Sequence, residues 1–193
     1  MPDTEMTSDL FLFAGRGGEK SAASRLVTPA ARLVERIRAG EEEAFGELYK
    51  VFAPMVHGIV LARLPRDEVD DIVQDVFIAA YKNLSSLRDD NAVGGWLAMI
   101  ARNRATEFFR QARQTEELIE ATDTRGDSRS RAREILSAIR SCPEAYRDTL
   151  VLRLVEGMTG PEIAERTGLT PESVRVNLHR GMRLLRQKLG IEV

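Results

Sequence analysis

The chain carries one cysteine, two histidines and one tryptophan in 193 residues. A lone Cys142 excludes an intramolecular disulfide and any zinc site built from several thiolates. His57 and His179 are too few for a histidine-rich metal centre, so neither a metal nor a cofactor is expected. Aromatic residues make up only 6%, and alternating β-branched runs are scarce, which disfavours an all-β domain. No apolar run approaches the roughly 20 residues that span a bilayer. The early run Leu10 to Ala14 follows the acids Asp3, Glu5 and Asp9 and lacks the basic flank of a signal peptide. These absences read as a cytoplasmic protein with no membrane insertion. What is present is 43% hydrophobic and 30% charged residues, enough for one large domain or two small ones.

The net charge of −2 conceals a strong polarity along the chain. The stretch 41–75 is acidic, with Glu41-Glu42-Glu43, Glu47, Asp67-Glu68, Asp70-Asp71 and Asp75 against Lys50, Arg63 and Arg66. The stretch 171–189 is basic, with Arg175, Arg180, Arg183, Arg186 and Lys188 against Glu172. One end suits phosphates and the other suits a basic protein surface.

Residues 1–27 lack sustained periodicity and contain Gly15-Arg16-Gly17-Gly18, the composition of a disordered tail. Thr28-Pro29 marks a helix start, with proline at the first helical position. A second helix follows Gly40, its stripe running from Phe45 and Leu48 to Ile59 and Val60, with Pro54 placed to interrupt or kink it. A third begins near Asp67. It sets Val69, Ile72, Val73, Val76, Phe77 and Ala80 on one face and Asp71, Gln74, Asp75 and Lys82 on the other. After a polar stretch and Gly94-Gly95, a fourth helix carries Trp96, Leu97, Ile100, Ala101 and Phe108 and ends in Arg102, Arg104, Arg110 and Arg113. Residues 114–132 are rich in Thr, Ser, Asp, Glu and Arg and read as a flexible linker.

The C-terminal block is the most explicit. Pro143 opens a helix that Gly157 stops. Thr159 and Glu162 form a capping box for a short helix that ends at Gly168. Thr170-Pro171-Glu172 starts another at once, and two helices joined so tightly make a helix-turn-helix. Val174, Leu178, Met182, Leu185 and Leu189 form the buried stripe of the last helix, whereas Arg175, His179, Arg183 and Arg186 lie on its exposed side. Cations on that side and a free N-terminal turn suit a major groove.

Four runs in order resemble a bacterial RNA polymerase sigma factor of the extracytoplasmic-function group. They are Ala44 to Tyr49, Asp70 to Phe77, Trp96 to Asn103, and Glu162 to Glu165 continued by Ser173 to Arg180. The resemblance implies an all-α chain of two small helical domains joined by a flexible linker. Residues 28–113 would be sigma region 2 and residues 133–190 sigma region 4. It implies docking on the beta-prime and beta subunits of core RNA polymerase, binding to promoter DNA, and control by an anti-sigma factor, with no catalysis of its own. By the same resemblance Asp71, Gln74 and Asp75 meet the beta-prime coiled coil. Arg88, Asn91, Trp96, Arg102 and Asn103 capture the −10 element. Arg175, Val176, Asn177, His179, Arg180 and Arg183 read the −35 element. Val176 and Asn177 depart from the commoner pattern, which has a small polar and a basic residue there.

A stand-alone helix-turn-helix regulator would account for residues 143–189 and leave the acidic helix and the Trp96–Asn103 run unexplained. A metal-dependent nuclease would need Asp67, Asp70, Asp71 and Asp75 on one face, and Asp70 points away from the face that Asp71 and Asp75 share.

Overall fold

A computed structural model describes residues 27–114 and 127–191, and among these every regular element is helical. The sequence-based tail, residues 1–26, and most of the linker lie outside the described residues.

Helix α1, Pro29–Arg38, is capped by Thr28, whose hydroxyl accepts from the Ala31 amide at 3.1 Å. Helix α2, Glu42–Leu61, runs through Pro54 without a break. Pro54 and Lys50 both sit on the exposed side, where water can satisfy the carbonyl that loses its donor, so the interruption expected at this proline does not occur. A 3-10 turn at Arg66–Glu68 leads into α3, Val69–Asn83. After two further 3-10 turns comes α4, Val93–Gln114, which starts before the two glycines rather than after them.

Helix α5, Asp127–Arg140, extends into the stretch read as linker. Helices α6, Glu144–Leu154, α7, Gly160–Thr167, and α8, Pro171–Lys188, follow at the places that their caps predict. Thr159 and Glu162 make both bonds of the capping box, Gly168 takes the left-handed conformation at φ 73°, and Thr170 caps Ser173.

The two helical groups share one core. Leu48, Phe52, Met55 and Ile59 of α2 and Leu97 of α4 belong to the same continuous cluster as Leu150 and Leu152 of α6 and Ile163 of α7. Each such side chain, fully buried, stabilises by about 1.5–3 kcal/mol. Helix α6 lies against α2, and α7 lies against the start of α4.

Candidate nucleic-acid and polymerase interface

Three surfaces carry the residues singled out in the sequence. On α3, Asp71, Gln74 and Asp75 are all exposed on the side away from the buried Val73, Val76 and Phe77. Beside them, α2 and α3 form an open groove of about 700 Å³ lined by Phe45, Tyr49, Gln74, Phe77, Ile78 and Tyr81. Its aromatic rings hold one another edge-on or tilted: Phe45 and Tyr81 are 5.0 Å apart at their centroids, and Tyr49 and Phe77 4.6 Å. Tyr49, Ile78 and Tyr81 remain exposed. Their spacing reads equally well as core, so the sequence hid an aromatic surface next to the acidic one.

The second surface is the approach to α4. Arg88 and Asn103 are exposed. Asn91 is committed to the fold, because its Oδ1 accepts from the Thr28 amide at 3.0 Å and ties the start of α1 to the turn before α4. Trp96 is half-buried and packs against the core. Asp89 accepts from the Asn91 amide at 3.1 Å and so caps the turn at Asp90–Ala92.

Arg102 is engaged from the other helical group. Its Nε donates to Oδ2 of Asp148 on α6 at 2.8 Å, and Oδ1 of the same carboxylate accepts from Arg63 Nη1 at 2.5 Å. Nearby, His57 Nδ1 lies 2.8 Å from Glu156 Oε1, and this carboxylate raises the imidazole pKa above its ordinary value. These pairs join residues 46 to 99 positions apart, and nothing local in the sequence announces them.

The third surface is α8. Arg175, His179, Arg180 and Arg183 are exposed, and Val176 and Asn177 are half-buried. Val174 and Leu185 anchor the opposite face. Gly181 lets α8 pack closely where it crosses α6, since a Cβ there would come within 3.1 Å of Tyr146 and Leu150, tighter than an ordinary contact. The pair Arg175–Glu172, at 3.7 Å between exposed side chains, holds little energy and leaves the arginine free to take a better partner. The exposed arginines Arg175, Arg180 and Arg183 give this side of the helix the charge and the hydrogen-bond donors that phosphate and base edges accept from.

Comparison with known proteins finds two family matches along the chain. Residues 48–115 match the family described as Sigma-70 region 2, and residues 132–185 match Sigma-70, region 4. The RNA polymerase sigma factor CarQ of Myxococcus xanthus is 30% identical over 167 residues, covering 81% of this chain and 95% of that protein. The ECF RNA polymerase sigma-E factor of Haemophilus influenzae is 28% identical, covering 81% and 93%. Among solved structures, CnrH in complex with the cytosolic domain of CnrY superposes with a TM-score of 0.59 at 24% identity, over 85% of this chain and 99% of that one. The Bartonella quintana sigma factor RpoE, in complex with the anti-sigma factor NepR, gives 0.55 at 16% identity, over 78% and 99%. Both likenesses are ones of fold. With its exposed acidic face on α3, its helix-turn-helix and relatives matched over nearly their whole length, the chain belongs to the extracytoplasmic-function group of the sigma-70 family and is a sigma factor of RNA polymerase.

Proposed function

We propose that this sigma factor distributes its work over the three surfaces just described. Asp71, Gln74 and Asp75 dock on a basic surface of core polymerase, with the aromatic groove between Phe45 and Tyr81 receiving apolar side chains at the edge of the contact. Arg88, Trp96, Arg102 and Asn103 engage the −10 element as it melts: a cationic track for the backbone, and Asn103 as donor and acceptor for an extruded base. Asn91 positions this surface through its bond to Thr28. Arg175, Val176, Asn177, His179 and Arg180 read the −35 element, and Arg183 meets phosphates further along the helix.

The observation that carries this reading is the electrical division of the chain. Exposed carboxylates are gathered on α3 and exposed arginines on α8, each opposite a buried apolar stripe. Such a factor works in the cytoplasm, and among the described residues no helix is long and apolar enough to cross a membrane. The Bartonella quintana neighbour is bound to the anti-sigma factor NepR, and an anti-sigma factor that covered α3 of this chain would block polymerase docking.

Run-off transcription with core polymerase over a genomic promoter pool tests the proposal. The factor should recover a set of promoters sharing −35 and −10 sequences. Asp71→Lys with Asp75→Lys should abolish their recovery. Recovery that survives in the folded double variant would refute the docking assignment.

A further inference from the structure

The sigma-70 region 2 and region 4 units are not held apart in this structure. They close on each other through contacts without slack. Gly58 of α2 faces Leu152 and Glu156, with each at 3.0 Å from the position of a Cβ. At Gly94 a methyl group would overlap the backbone carbonyl of Arg166, and Gly95 lies under Thr167. Arg140 reaches across from α5 and donates to the carbonyls of Leu61, at 3.0 Å, and of Leu64. Arg166 of α7 donates to the carbonyl of Val51.

Asp148 lies inside this seam. Its side chain is 8% exposed and that of Arg63 is 7% exposed, so both charges are withdrawn from water. Arg102 occupies the second carboxylate oxygen. A buried pair is costly to form and far more costly to break by removing one partner, because the remaining charge stays buried. Between separable units that penalty has an escape. Opening the seam returns Arg63 to water, so losing Asp148 should weaken closure rather than unfold the chain.

Closure also sets a limit on what the factor reads. Helix α7 touches the start of α4, whereas elements centred near −10 and −35 lie about 25 base pairs apart, roughly 85 Å along B-form DNA at about 3.4 Å per step. The closed chain cannot bridge them. It also keeps Arg102, assigned above to the −10 strand, paired with a carboxylate.

We propose that Asp148 is an intramolecular clasp: by pairing with Arg63 and Arg102 across the seam it holds the free factor closed and withholds the −10 surface until both units engage core polymerase. The functional half rests on the assignment under Proposed function; the clasp itself rests on the contacts alone. A polymerase that presents the two units to elements about 25 base pairs apart must hold the open form, and it shifts the equilibrium by its difference in affinity for the two forms.

The test uses the full chain with spin labels at Thr106→Cys on α4 and Glu165→Cys on α7, both exposed. Cys142 is 1% exposed, and burial pushes its thiol pKa up, so it stays unlabelled in the folded chain. Dipolar distance measurement should give one narrow, short distance for the otherwise unaltered chain. Asp148→Asn should convert at least nine-tenths of it to a broad, longer distribution. Gly94→Ala should do the same by a different route, since alanine favours α4 itself and its severe overlap is with the Arg166 carbonyl across the seam, the Phe52 ring of α2 lying at 3.1 Å. On a promoter recovered by run-off, both variants should reach half-maximal transcription at a factor concentration at least fivefold lower. A broad distribution already present before substitution, or variants that stay closed, would overturn the clasp. Variants that open and leave the half-maximal concentration unchanged would overturn its regulatory role. If no version of the chain supports transcription, the proposed function fails and the regulatory role with it, while the distances still judge the clasp.

Discussion

Replacing Thr170 by alanine removes a single cap and tests how the reading helix is held. The Thr170 hydroxyl accepts from the Ser173 amide at 3.1 Å and donates to Ser173 Oγ at 2.8 Å, at the first turn of α8. Loss of such a cap costs about 1 kcal/mol, within a range of roughly 0.5–2. The thermal shift this produces depends on what melts together. If α8 unfolds with the whole closed chain, about 1 kcal/mol lowers Tm by roughly 2–4 °C; if the C-terminal helices melt alone, the shift is roughly 4–8 °C. Circular dichroism melts of the full chain measure it. Thr170→Asp should restore most of the loss, because aspartate caps as well and its charge suits the helix N-terminus. The same alanine should weaken −35 recognition in the holoenzyme if Arg175, which that turn carries, reads the groove as proposed. An unchanged Tm, or an aspartate that fails to rescue, would refute the capping account.

Arg180→Ala, at a position proposed to read a base, should cost about 1–3 kcal/mol and relax preference at one −35 position, as binding to a panel of −35 variants would show. Removing a phosphate contact, Arg183→Ala, should weaken binding to all sequences alike and reduce the salt slope by about one, read from titrations at several salt concentrations. Asn103→Ala should lower permanganate reactivity of the −10 region on duplex and pre-melted templates equally, whereas no defect on either would return Asn103 to a structural role. Closure should depend on pH through His57, which faces Glu156 together with the nearby Asp70 and Arg66. Its pKa is raised in the folded chain, so its contribution is complete below the ordinary histidine value and fades as pH rises through the raised one. Labelled chain titrated upward should open progressively, and His57→Gln should flatten that profile.

The helix ends were legible because caps are local. Thr28-Pro29, Thr159 with Glu162, Gly168, and Thr170-Pro171 each fix one turn with residues within four positions of one another. Helix α5 escaped because its first turns are arginine, serine and aspartate, and only Ile135, Leu136 and Ile139 near its end supply a stripe. The continuity of α2 escaped because a proline rule takes no account of which side of the helix faces water. For the candidate site, the exposed faces of α3 and α8 follow from period alone. The aromatic groove did not, because Tyr49 and Tyr81 share the spacing of core residues and their exposure depends on what packs beside them. The seam around Asp148 was beyond reach for the same reason: Arg63 and Asp148 are 85 positions apart and meet only through the fold.

When bound to polymerase, this chain should choose promoters through α8. The most direct measurement is selection from duplex DNA randomised across the −35 element, using core polymerase alone, core with the chain, and core with the Arg175→Ala, Arg180→Ala variant. One −35 motif should be enriched only when the chain is present, and lost in the variant although it still binds core. Enrichment independent of the chain, or a motif that the variant selects equally well, would contradict promoter choice through α8.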